Sequence, residues 1–313
     1  MPAISSSLSY TDLAQEFEAA ISWLSAYGLA IEHARLARYR AVVRELSARL
    51  QAGTLEGLFE PRDGALTERG VLEALYEIGE LQAIHRAAPA IAASGLINRL
   101  GTAVKGPLSY TAETERSNHP RNAAFELIVA ARLSEAGFAL GTSTSSRADL
   151  WFPLEARPIF VECKRPRAQR SVLPNLREAF SQIRKRCDES RRPRARGIVA
   201  LDVTRIVNPE FRPIWVDSEA ALEEVLDKLT DDLFDDLLPR IGGIKPRRSL
   251  AIIVRVSLMA YQRDVSRPVY CQQYGYALTP GLSASERLAA ETIGQRMQGN
   301  RPSPTGSDGY AER

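Results

Sequence analysis

Two stretches of this chain, Gly197-Ile198-Val199-Ala200-Leu201-Asp202-Val203 and the run from Ser249 to Leu258, are mostly apolar without a clean polar alternation. That is the pattern of strands covered on both faces, and such strands require helices above and below them. Helical stripes surround them in the sequence. Leu13, Phe17, Ile21 and Leu24 recur at steps of three or four, as do Leu36, Tyr39, Val43, Leu46 and Leu50, and then Val71, Leu72, Leu75, Ile78 and Leu81. A short fourth run is expected near Ile91–Leu100, before Gly101 and Gly106-Pro107. The chain is therefore expected to be α/β, with a helical module over 1–107, a mixed sheet flanked by helices over 108–294, and a Pro/Gly/Ser-rich flexible tail over 295–313. At 313 residues and 44% apolar composition, it has enough material for such a core.

From Asn118 the pattern changes. Pro120 opens a helix carrying Phe125, Ile128, Val129 and Leu133, and Gly137 closes it. Three short strands are expected next, at Phe138–Thr142, Ala148–Phe152 and Ile159–Lys164, with a turn over Pro153–Pro158. A helix with the stripe Leu176, Phe180, Ile183 and Cys187 follows, with Pro174 near its start. Beyond the 197–203 strand, Ala220–Leu238 reads as an acidic amphipathic helix.

In Ile159-Phe160-Val161-Glu162-Cys163-Lys164 the side chains alternate, so Glu162 and Lys164 share a face about 6–7 Å apart. In the preceding strand Asp149 takes the face opposite Leu150, and pairing of the two strands brings it beside Glu162. Two neighbouring carboxylates repel unless a cation joins them. A hard divalent ion such as Mg²⁺ accepts two carboxylates plus water and substrate phosphate, and Mn²⁺ substitutes for it. The adjacent lysine then orients or deprotonates an attacking water and balances charge on phosphorus. The structural alternative is a turn aspartate and a solvated Glu-x-Lys pair. Against it stands composition: of the 41 cationic residues only five are lysines, and among those Lys164 alone has an acid two positions before it. Glu126 lies along the buried face of its helix and is read as a further metal ligand. Gln182, one position from Ile183, is read as holding water or a phosphate oxygen; for both, a solvated position is the alternative.

Glu126 on a helix, Asp149, Glu162-Cys163-Lys164 and Gln182 on the next helix together resemble the signature of the PD-(D/E)XK nuclease superfamily. The order of elements over 118–205 resembles its restriction-endonuclease-like αβββαβ core, with Ala148 where the superfamily name has proline. The resemblance implies that Asp149 and Glu162 bind Mg²⁺, that Lys164 serves the nucleophilic water, and that Glu126 and Gln182 assist.

Net charge is +3, but 164–196 carries twelve cations against three acids, whereas 217–236 carries nine acids against Lys228. Arg165, Arg167, Arg170, Arg184, Lys185 and Arg186 are read as nucleic-acid contacts to backbone phosphate, which attract DNA without reading its sequence. Tyr261, Tyr270, Tyr274 and Tyr276 are either base-stacking residues or half-buried strand residues. The expected activity is a metal-dependent deoxyribonuclease of restriction, repair or host-defence type. The alternative is a non-catalytic nucleic-acid-binding or assembly protein that keeps the fold. The helices of 1–107 are expected to target the enzyme, hold a partner protein or form a homodimer. Cys163, Cys187 and Cys271 lack metal-type spacing, no apolar run reaches membrane-spanning length, and no basic residue precedes an apolar block at the start. A cytoplasmic protein without membrane association is expected.

Overall fold

The computed structural model describes residues 10–31, 35–52, 67–107, 109, 113–114, 117–141, 149–241, 244, 246–264 and 267–299. It is an α/β structure with one mixed six-stranded sheet between two helical layers. Strand β1 (Leu150–Leu154) pairs antiparallel with β2 (Arg157–Lys164), and β2 pairs parallel with β3 (Arg196–Asp202). Strand β5 (Ser249–Gln262) runs parallel to β3 and, beyond it, to the short β4 (Ile214–Val216); β6 (Arg267–Leu278) covers its other edge antiparallel.

The apolar runs fill both sides of this sheet. Phe152, Ile159, Val161, Ile198 and Ile253 lie on the side of the sheet covered by α3 (Glu68–Arg86), α6 (His119–Glu135) and α10 (Ala284–Gln298), with α1 (Tyr10–Ala26) and α2 (Arg35–Gln51) packed on α3 and α4 (Ala88–Ala93) and α5 (Ile97–Ala103) packed on α6. Phe160, Val199, Leu201, Ile252 and Val254 face α7 (Gln169–Glu189) and α9 (Glu219–Ile241), while the single turn α8 (Thr204–Val207) follows β3. Residues from the N-terminal helices and from α10 belong to the same buried cluster, so the helices before residue 107 and the sheet share one core.

Helix α3 explains that union. Its residues Val71–Ile84 are all buried, including Glu73, Glu77 and Glu80. Its apolar stripe is the expected one, but its polar stripe is covered too, because arginines from other elements reach it. Glu77 pairs with Arg35 at 3.2 Å and Arg121 at 2.8 Å, and Glu80 with Arg255 at 3.0 Å. Buried carboxylates are tolerable only with such partners.

Three expectations are corrected. Phe138–Gly141 is irregular rather than a strand; the Gly141 N–H donates to the Trp151 carbonyl at 2.8 Å, and the indole lies where a Cβ on Gly141 would be. Thr142 and Ala148 lie outside the described residues. The turn over 153–158 contracts to Glu155-Ala156, both at positive φ (48° and 61°), so Pro153 pairs with Pro158 inside the hairpin. Pro153 is on an edge strand, and Pro158 precedes the ladder with β3, so neither missing N–H is needed. The expected tail begins later, because α10 continues to Gln298 with Met297 buried, and 300–313 lie outside the described residues. No described helix is long and apolar enough to cross a membrane.

Candidate active site

The hairpin register sets the site. Leu150 pairs with Val161, so the next step of the ladder brings Asp149 to Glu162. The Asp149 carboxylate accepts a hydrogen bond from the Cys163 N–H at 2.8 Å, which fixes it at the sheet edge, and its backbone carbonyl accepts from Arg99 at 3.2 Å. Glu162 is 2% exposed, and its Oε1 has no hydrogen bond. The Arg186 guanidinium stands 3.7 Å from that oxygen.

The electrostatics follow from this burial. Desolvation, above all, pushes the Glu162 carboxyl up to about 8, the Asp149 charge pushes in the same direction, and Arg186 and Lys164 oppose both. Asp149 is likewise raised by burial, against the pull of the Cys163 N–H and Arg99. Burial raises the Cys163 thiol well above its ordinary value, which favours its protonated form.

Lys164 shares the face of Glu162, and its Nζ donates to Glu178 at 2.7 Å. Gln182 Nε2 donates to the same Glu178 oxygen at 3.2 Å, while its own Oε1 is buried without an acceptor role. The structure thus brings Asp149, Glu162, Lys164 and Gln182 to one edge of the sheet. Glu178, 58% exposed on α7, ties the last two together. Sequence reasoning did not single it out, although its position four before Gln182 on a helix was a usable signal.

Glu126 has a different partner. It forms an ion pair with Arg99 of α5, the residue that also holds the Asp149 carbonyl. Among the described residues no three of His, Cys, Asp and Glu are gathered as a metal group; of the three expected carboxylates, Asp149 and Glu162 stand together, while Glu126 is turned to Arg99. Arg99 lies in the N-terminal helices, where nothing in the sequence connected it to the site. The pair has the donor chemistry a hard divalent ion takes: two adjacent carboxylates, one of them with a buried oxygen that has no hydrogen bond.

The basic run divides. Arg165 is engaged by Asp202 (3.0 Å) and Glu113 (3.1 Å), and Arg167 donates to the Glu113 carbonyl (2.5 Å), so both are held by groups of the chain rather than standing out into solvent. Arg186 turns inward to Glu162 and also meets Glu189 at 3.4 Å. Arg170, Arg184 and Lys185 are exposed. With Arg177, the two arginines form a row at seven-residue intervals on α7. At 3.6 residues per turn that row lies on the far side of the helix from Gln182 and Arg186. Of the tyrosines, Tyr270 and Tyr274 are core residues, while Tyr261 is half-buried and stacks on Trp215, itself 63% exposed, with ring centres 4.4 Å apart.

Comparison with protein-family models, with curated proteins and with solved structures gives no significant match.

Proposed function

We propose that the protein is a divalent-metal-dependent nuclease of the restriction-endonuclease-like type, with DNA as its substrate. One observation carries the reading: Asp149 and Glu162 stand together at a sheet edge, and a buried Glu162 oxygen lacks any hydrogen bond. Asp149 and Glu162 would hold the ion. Mg²⁺, or Mn²⁺ in its place, would polarise a phosphoryl oxygen and acidify a bound water. Lys164 supplies a compact positive charge beside the pair, suited to orienting that water and to offsetting charge on phosphorus. Glu178 keeps the Lys164 ammonium and the Gln182 amide on the same side of the site.

A second reading has its own observation. Lys164, Gln182 and Glu126 are all engaged by residues of the chain, which suits a protein that binds nucleic acid on this fold without cutting it. Incubating supercoiled and linear DNA with the purified protein separates the two. Cleavage with Mg²⁺ that is lost with EDTA, and reduced about 10²-fold or more in Lys164→Ala and Asp149→Ala, supports the enzyme. Binding without cleavage under any metal supports the second reading.

A further inference from the structure

Beside the candidate site, one step past Lys164, the structure holds a cluster of arginines that the nuclease reading leaves unexplained. The β2–β3 register places Lys164 against Leu201, so Arg165 emerges next to Asp202, where two parallel strands end side by side. In open α/β sheets the carboxyl ends of the strands are where ligands bind. Arg165, Pro166, Arg167, Asp202 and Arg205 line a small recess there that has no room for even a water molecule as the chain stands.

An anion from the chain itself already meets two of these arginines. Glu113, which belongs to no helix or strand, buries its side chain completely; one carboxylate oxygen meets Arg165 at 3.1 Å and the other meets Arg205 at 3.3 Å. Arg167 is served less well. It touches the backbone carbonyl of Glu113 rather than a carboxylate, and its buried Nε finds no acceptor. Asp202 does not fill the gap, because one of its oxygens accepts from the Thr204 N–H at 3.0 Å and the other is shared by Arg165 and Arg255.

A carboxylate has two oxygens, enough for two of these guanidiniums. A phosphate has more oxygens and more charge, and planar guanidiniums recognise it in the forked, bidentate manner that a third arginine would complete. We propose that Arg165, Arg167 and Arg205 form a phosphate-binding pocket in which Glu113 stands as an internal substitute until a phosphate displaces it. Resting on the nuclease reading, the phosphate is assigned to the nucleic-acid backbone next to the bond that is cut, since Arg165 directly follows Lys164. The pocket itself is a claim about anion binding and can be tested without any cleavage.

The test uses the full-length chain with Lys164→Ala, so that no substrate is consumed, and two probes: inorganic phosphate and a DNA oligonucleotide. Glu113→Gln removes the internal anion. Thermal unfolding of this variant should rise by several degrees in millimolar phosphate while the Glu113-containing chain moves little, and adding Arg205→Ala should abolish the difference. The oligonucleotide should bind the Glu113→Gln chain about tenfold more tightly, the scale of one gained charge-assisted hydrogen bond. Stabilisation by inorganic phosphate without a change in oligonucleotide affinity would overturn the assignment to nucleic-acid backbone. No phosphate response in Glu113→Gln, or an equal response in both chains, would overturn the pocket. If Glu113→Gln does not fold, Arg167→Ala decides, because it leaves both Glu113 ion pairs in place: severalfold weaker oligonucleotide binding supports the pocket, and unchanged affinity contradicts it. The nuclease reading fails separately, through absent cleavage by the wild-type chain.

Discussion

Glu162 is a carboxylate placed where its ionised form is disfavoured. In the metal-free chain its folded-state pKa of about 8 lies well above the value of about 4.3 expected when unfolded. Between those values the folded state binds a proton that the unfolded state does not, so stability falls as pH rises through this window and levels off above it. In EDTA, the melting temperature of the wild-type chain should therefore carry a downward component from pH 5 to 8 that Glu162→Gln lacks, and the variant should be the more stable of the two at pH 8. Identical profiles in the two proteins would show that Glu162 is not held in this way. The sequence made Asp149, Glu162 and Lys164 readable because strand alternation fixes which side chains share a face. It did not reveal Arg99 or Glu178. Arg99 arrives from a helix fifty residues before Asp149, and Glu178 was one acid within a basic run. The ion pair of Glu126 with Arg99 was likewise not legible, since a helical stripe says what is buried and not which distant guanidinium meets it.

At the scale of elements, α7 separates two tasks. One side carries Glu178, Gln182 and Arg186 toward the candidate site; the other carries Arg170, Arg177 and Arg184, exposed and without an ion pair among the described residues. Replacing those three arginines by alanine should change stability by only about 0.5 kcal/mol or less, as expected for surface positions. If the row meets duplex phosphate, the slope of log affinity against log salt should flatten by about 0.9 for each phosphate that an arginine no longer neutralises. An unchanged slope in a filter-binding or anisotropy titration would remove the row from the DNA interface. Element order was largely legible: α6, β1, β2, α7, β3 and β5 lie near their expected positions because period and turn residues mark them. Of the strand expected at 138–142, the described residues 138–141 are irregular chain that meets β1 through the hydrogen bond from the Gly141 N–H to the Trp151 carbonyl.

At the scale of the whole molecule, the helices before residue 107 are joined to the sheet by charge as well as by apolar packing. Glu77 stands between Arg35 of α2 and Arg121 of α6, and Glu80 reaches Arg255 on β5. Glu77→Ala leaves two buried guanidiniums without their carboxylate, and denaturant unfolding should show a loss of about 3–5 kcal/mol. A loss below about 1 kcal/mol would mean that the pairing contributes little to cohesion. This continuity was hidden in the sequence, where an amphipathic stripe on α3 implied a solvated polar face. The central claim for the molecule as a whole is that the shared scaffold presents Asp149 and Glu162 to a divalent ion. Calorimetric titration of Mn²⁺ into the chelator-treated chain at pH 7, in buffers of different ionisation enthalpy, tests it most directly. The account predicts one ion per chain, release of about one proton because Glu162 is protonated beforehand, and loss of binding in both Asp149→Asn and Glu162→Gln. Absence of binding by the wild-type chain, or binding that survives both substitutions, would contradict it.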